Sequence, residues 1–71
     1  MKYIVEIVTP KERKHLFTTP EYEQGRNGAM GYAKQHNISV NVTRVNGDSK
    51  REVAYLPNGE VRQLWKEFIF E

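Results

Sequence analysis

The sequence is 71 residues long, with 11 Lys and Arg against 9 Asp and Glu and no cysteine. Disulfide frameworks, thiol chemistry and cysteine-held zinc are thereby excluded. A net charge of +2 is far below the dense positive field of an obligate nucleic-acid binder. A protein of this length buries only about 60% of the surface it exposes when unfolded, so each buriable apolar group matters, and residues 1–71 are expected to form one compact α+β domain.

The opening segment KYIVEIV (2–8) alternates, with Tyr3, Val5 and Ile7 on one face and Ile4 and Val8 beside Glu6 on the other. Being apolar on both faces, it predicts a central strand or one whose second face meets a partner. The pattern does not fit a signal peptide, and no run approaches membrane-spanning length, so a cytoplasmic protein without membrane contact is expected. TPKERKH (9–15) is polar and aperiodic, a connection carrying Lys11, Arg13, Lys14 and His15. LFTT (16–19) predicts a short returning strand and hence a hairpin with a basic tip.

Thr19-Pro20-Glu21 has the composition of a helix start, with a capping hydroxyl, an early proline and an acidic first turn. Asn37 is the matching stop. Between them lie Gly25, Gly28 and Gly31, each costing about 1 kcal/mol against alanine in a helix. On a helical wheel Gly25, Ala29 and Ala33 make a row of small residues at spacing four, which lets the backbone approach a sheet closely. Gly28 and Gly31 point away from that row, marking either a break in the helix or a surface where a partner's backbone comes near.

ISVNVTRV (38–45) is a clear strand, and Asn46-Gly47 after it is the strongest short hairpin signal. With those two residues as the loop, Val40 faces Val53, Ile38 faces Tyr55, Thr43 meets Lys50 and Asn41 meets Glu52. After Leu56-Pro57-Asn58-Gly59, the residues Val61, Leu64, Trp65, Phe68 and Ile69 recur at helical spacing. That pattern predicts a C-terminal helix capped by Asn58. The expected order is β-(β)-α-β-β-α, an antiparallel sheet of three to four strands with two helices.

Chemistry is sparse. The phosphate loop GxxxxGK[ST] and the dinucleotide fingerprint GxGxxG are absent. His15 and His36 have no evident partner, Ser39 lies in a strand, and Ser49 and Asp48 share a turn. A non-enzymatic protein with no cofactor and no metal is expected. Gly25-Arg26-Asn27-Gly28 resembles the GXXG loop of KH domains, which clamps single-stranded nucleic-acid backbone. That resemblance implies a loop at 25–28 followed by helix, strand, strand and helix. Its aliphatic supporting positions are held here by Gln24 and Gly31.

Two function classes follow. The first is a small protein-binding module, in the style of phage and mobile-element accessory proteins that bind and modulate a host protein. It would use a strand edge or the outward helix face around Arg26, Gly28 and Gly31, with Lys11, Arg13 and Lys14 drawing it to an acidic partner. A second copy of the same protein, giving a homodimer, is the alternative protein partner. The alternative class is a nucleic-acid binder using Gly25, Arg26, Asn27 and Gly28, or a basic hairpin on phosphate joined by Arg44, Lys50 and Arg51.

Overall fold

The structure, a computed structural model, describes residues 1–64. It contains β1 (Lys2–Val8), β2 (Arg13–Thr19), α1 (Tyr22–His36), β3 (Val40–Asn46), β4 (Ser49–Tyr55) and β5 (Val61–Leu64). The strands form one antiparallel sheet in the order β2-β1-β3-β4-β5, and α1 packs on one of its faces. The α+β class stands. Five strands and one helix among the described residues replace the expected three to four strands and two helices.

The largest correction concerns the segment after Pro57. Residues Val61–Leu64 run as β5 along β4, pairing Val61 with Tyr55 and Gln63 with Val53. The Gly59 amide closes a turn on the Leu56 carbonyl at 3.1 Å, and the Leu56 amide reaches the Glu60 carbonyl at 2.9 Å. Gly59 itself takes φ 91°. This is a three-residue hairpin loop, with Pro57 at the first corner and a positive-φ glycine at its end. Asn58 caps no helix; its Oδ1 accepts from the Glu60 amide at 2.9 Å. The turn chemistry therefore overrode a helical spacing whose later members, Trp65, Phe68 and Ile69, lie outside the described residues.

The β3–β4 hairpin forms with a different loop. Asn46 pairs with Ser49, Val42 with Val53 and Val40 with Tyr55, so the loop is Gly47-Asp48 and the register is offset by two from the expected one. Gly47 adopts φ 60°, and among the described residues the only non-glycine with positive φ is Asn37. That suits a turn with glycine at its first corner, whereas an Asn46-Gly47 loop would force Asn46 to positive φ as well. A slip of two keeps every side chain on its expected face.

On the β1–β2 side, Val5 pairs with Phe17 but Glu6 with His15. Leu16 is the extra residue of a bulge, and both Leu16 and Phe17 consequently lean on the core. The returning strand is longer than LFTT, because Arg13, Lys14 and His15 belong to it. Bulge and charges together blunt the outer edge of β2 against pairing with another strand.

Helix α1 starts at Tyr22, beyond Pro20. Its N-cap is Glu21, whose carboxylate makes no capping bond. Thr19 Oγ1 instead accepts from the Glu21 amide at 3.2 Å and donates to Gln24 Oε1 at 2.8 Å. Asn37 ends the helix in the left-handed conformation, with the Ile38 amide on the Ala33 carbonyl at 3.1 Å, a Schellman ending. Gly25, Ala29 and Ala33 are its buried residues, facing Tyr3, Val5, Val40 and Val42 in the core.

The helix runs unbroken through all three glycines. Gly28 does not point outward: a Cβ there would lie 2.5 Å from Phe17 Cζ. That ring tip belongs to an edge strand and can swing aside. Gly28→Ala is therefore expected to be close to neutral, the helix gain of about 1 kcal/mol being offset by moving the ring. In a Phe17→Leu background the same change should stabilise by about that amount, read as a shift of the urea midpoint.

Candidate binding concavity

The face opposite α1 carries a polar network rather than a site. Arg13 Nη1 donates to Glu6 Oε1 at 3.2 Å, its Nη2 lies 3.6 Å from Glu52 Oε1, and Asn41 Nδ2 donates to Glu52 Oε1 at 2.9 Å. Neighbouring strands place these groups side by side, with Glu6 opposite Asn41 and Glu52 diagonal to it. Arg13 is thus committed to carboxylates of its own sheet. Although half-exposed, it brings less free charge to a partner than its position in KERKH implies.

The remaining basic candidates fall into two groups. The β1–β2 connection, with Lys11, and the β3–β4 hairpin point to opposite ends of the sheet, because β1 and β3 are antiparallel. Lys11 and Lys14 are exposed at the first end. Arg44 and Arg51 pair directly at the other, so they do not join the basic tip. Lys50 lies on the opposite sheet face from them, paired with Val45. Gly25, Arg26, Asn27 and Gly28 sit within continuous helix and form no GXXG loop. Gly31 is exposed with open space around it. His15 Nε2 is 2.7 Å from Thr18 Oγ1, and the His36 ring stacks on Tyr32 at 4.1 Å; both histidines have local structural neighbours. No group of three His, Asp or Glu among the described residues could hold a metal.

The feature that gathers candidates together arises from incomplete cover. Helix α1 packs mainly on β3 and β1, touches β2 and β4 less, and does not reach β5. Beside it a concavity of about 250 Å³ opens over β3, β4 and β5. Val42 and Val53, a cross-strand pair, form its floor. Tyr3, Tyr22 and Tyr55 wall it toward the helix, Arg44 and Arg51 close one end, and Val61 and Gln63 line the β5 side.

Helix position fixes the tyrosine wall. Tyr22, the first residue of α1, stands edge-on to Tyr3 with ring centroids 5.6 Å apart, a favourable arrangement. Its hydroxyl is hydrogen-bonded with that of Tyr55. Burial first, then this bond and the neighbouring phenol, push the Tyr55 pKa up to about 12, with the Arg26 charge acting weakly the other way. Arg26, one turn beyond Tyr22, is near enough for its charge to act on Tyr55 but does not line the concavity. Tyr22 and Val61 remain 54% and 51% exposed, enough surface on offer for a second molecule to cover.

The sequence points to Arg44 and Arg51 and places Tyr3 and Tyr55 in the core, but it does not reveal the surface they share. Helical spacing assigns Val61 and Gln63 to the wrong kind of element. The signal against that assignment is the turn-forming Pro57-Asn58-Gly59 just before it, since Val61-Arg62-Gln63-Leu64 shows no strand alternation of its own.

The chain matches no known protein family, no curated protein and no solved structure. Among the described residues no helix is long and apolar enough to cross a membrane.

Proposed function

We propose that the protein is a non-enzymatic binding module that engages another protein through the concavity beside α1. The supporting observation is the concavity beside α1, open among the described residues, where three tyrosines, Arg44, Arg51 and Glu52 surround Val42 and Val53. Tyrosine and arginine dominate interface hot spots, especially in concave, desolvated positions. The partner segment that fits carries a carboxylate, set against Arg44, next to an apolar or aromatic group lying beside Val42 and Val53. Such a module works by occupancy, modulating or blocking the surface it covers, as an accessory protein of a phage or mobile element would.

Immobilised protein used to capture partners from a lysate tests this through its variants. Arg44→Glu and Tyr22→Ala should each cut retention of the captured partner by about tenfold or more, while Lys11→Ala, at the far end of the sheet, should leave it unchanged. A partner retained equally by the wild type and all three variants would remove the concavity from the interface.

Single-stranded nucleic acid is the second reading, favoured by Tyr22 and Arg44 lining one concavity, since bases stack on aromatic rings while phosphates meet cations. Anisotropy with labelled oligonucleotides at about 50 and 200 mM salt separates the two, because each phosphate neutralised on a single strand contributes about 0.7 to the log–log salt slope. Steep loss of binding with salt favours nucleic acid; absence of binding at both salts sinks that reading.

A further inference from the structure

Three Asn-Gly pairs occur in the sequence: Asn27-Gly28, Asn46-Gly47 and Asn58-Gly59. In such a pair the glycine nitrogen can attack the asparagine carboxamide carbon, because no Cβ on the following residue obstructs the approach. The structure puts the three pairs in different backbone settings, and the reaction is sensitive to two features of setting. The glycine N–H must be free of other bonds, and the asparagine ψ must be able to turn so that nitrogen and carbon meet.

We infer that Asn46 is the site of spontaneous deamidation in the folded protein. Asn27-Gly28 is inside α1, where the glycine amide is bonded to the preceding turn and rotation at Asn27 would break the helix on both sides. Asn58-Gly59 is held twice over, with the Gly59 amide donating to the Leu56 carbonyl at 3.1 Å and Asn58 Oδ1 accepting from the Glu60 amide at 2.9 Å. Asn46 is exposed. Gly47 is the first residue of a two-residue loop, whose amide has no ladder partner. Turning Asn46 disturbs only the terminal rung, Asn46 with Ser49.

The chemistry is balanced by water alone. The Gly47 nitrogen gives up its proton to solvent and bonds to Asn46 Cγ; Nδ2 takes a proton back from solvent, the bond from Cγ to Nδ2 breaks and ammonia leaves. Water then opens the five-membered imide at one of its two carbonyls. Opening at the backbone carbonyl gives isoaspartate, with an extra carbon in the backbone, and opening at the other gives aspartate. Nothing is oxidised or reduced. Either product places a carboxylate two rungs from the Arg44–Arg51 pair, and isoaspartate also disrupts the turn that sets their register. If the concavity is the binding surface, this consequence rests on that reading, and ageing at Asn46 should weaken partner capture.

The test incubates the intact protein at mildly alkaline pH and follows each Asn-Gly peptide by mass spectrometry, with isoaspartate quantified by enzymatic methyl labelling. A parallel sample is held in strong urea. In the folded protein the Asn46 peptide should convert several-fold faster than the Asn58 and Asn27 peptides; in urea the three rates should converge. Equal rates in the folded protein, or an Asn46 that stays intact while the urea sample converts, would overturn the inference. The conversion readout needs no partner, so it stands or falls separately from the proposed function.

Discussion

Replacing Gly25 with leucine is expected to unfold the protein without denaturant, whereas Gly31→Ala, further along the same helix, should raise its melting temperature. Gly25 is buried, and a Cβ built there would meet Tyr3 Cβ at 3.3 Å and Thr19 Cγ2 at 3.6 Å. Tyr3 Cβ is fixed by the β1 backbone and cannot swing away as the tip of Phe17 can. A branched residue must lift the N-terminal half of α1 off the sheet, costing about 3 kcal/mol or more, a large share of the stability of a domain this small. Gly31 has nothing within 4 Å of its missing Cβ and lies in regular helix, so alanine there adds helix propensity and reduces the entropy of the unfolded state. The gain is about 1 kcal/mol, or about 4–8 °C for a domain of this size. Thermal melts by circular dichroism read both. A folded Gly25→Leu protein with unchanged melting would refute the close approach of α1 to β1.

Those two glycines also show how much the sequence disclosed. The row Gly25, Ala29, Ala33 was legible because burial on a helix repeats at spacing four, and all three residues are buried. Gly28 was not, since its reason is a ring reaching up from β2, and the bulge that brings Phe17 there leaves no local signature. Strand β3 was readable from its alternation, but its loop depended on which of two adjacent residues takes positive φ. The most consequential misreading lay at Val61–Leu64. Three or four residues cannot distinguish helical from strand spacing by themselves, and a cross-strand ladder to β4 decides it. The concavity was hidden with it, because β5 supplies one of its sides through Val61 and Gln63. Arg44 and Arg51 were visible as cations, yet their direct pairing needed the corrected register.

Tyr55→Phe should change how the protein responds to alkali. The phenol of Tyr55 ionises at about 12 instead of the ordinary 10.0, first because it is buried and next because it is hydrogen-bonded with Tyr22 beside it. Folding therefore favours the protonated form. Below about pH 10 both the folded and the unfolded state hold the proton, and Tyr55 adds no pH dependence. Between 10 and 12 the unfolded state releases it while the folded state retains it, so stability falls as pH rises through that window. The accumulated loss is about 2 kcal/mol. Phenylalanine has no proton to release, so the wild type should be more stable than the variant at neutral pH by about 1 kcal/mol, the worth of the Tyr22 bond. That advantage should shrink and then reverse as the pH approaches 12. Urea midpoints for both proteins, measured at intervals from pH 7 to 12, give the difference directly, and other alkaline titrations largely cancel between them. A constant difference across the series would mean that the Tyr55 hydroxyl is solvated. The Tyr22–Tyr55 wall of the concavity would then not be closed as described, and the Tyr22→Ala effect on partner retention would lose its structural basis.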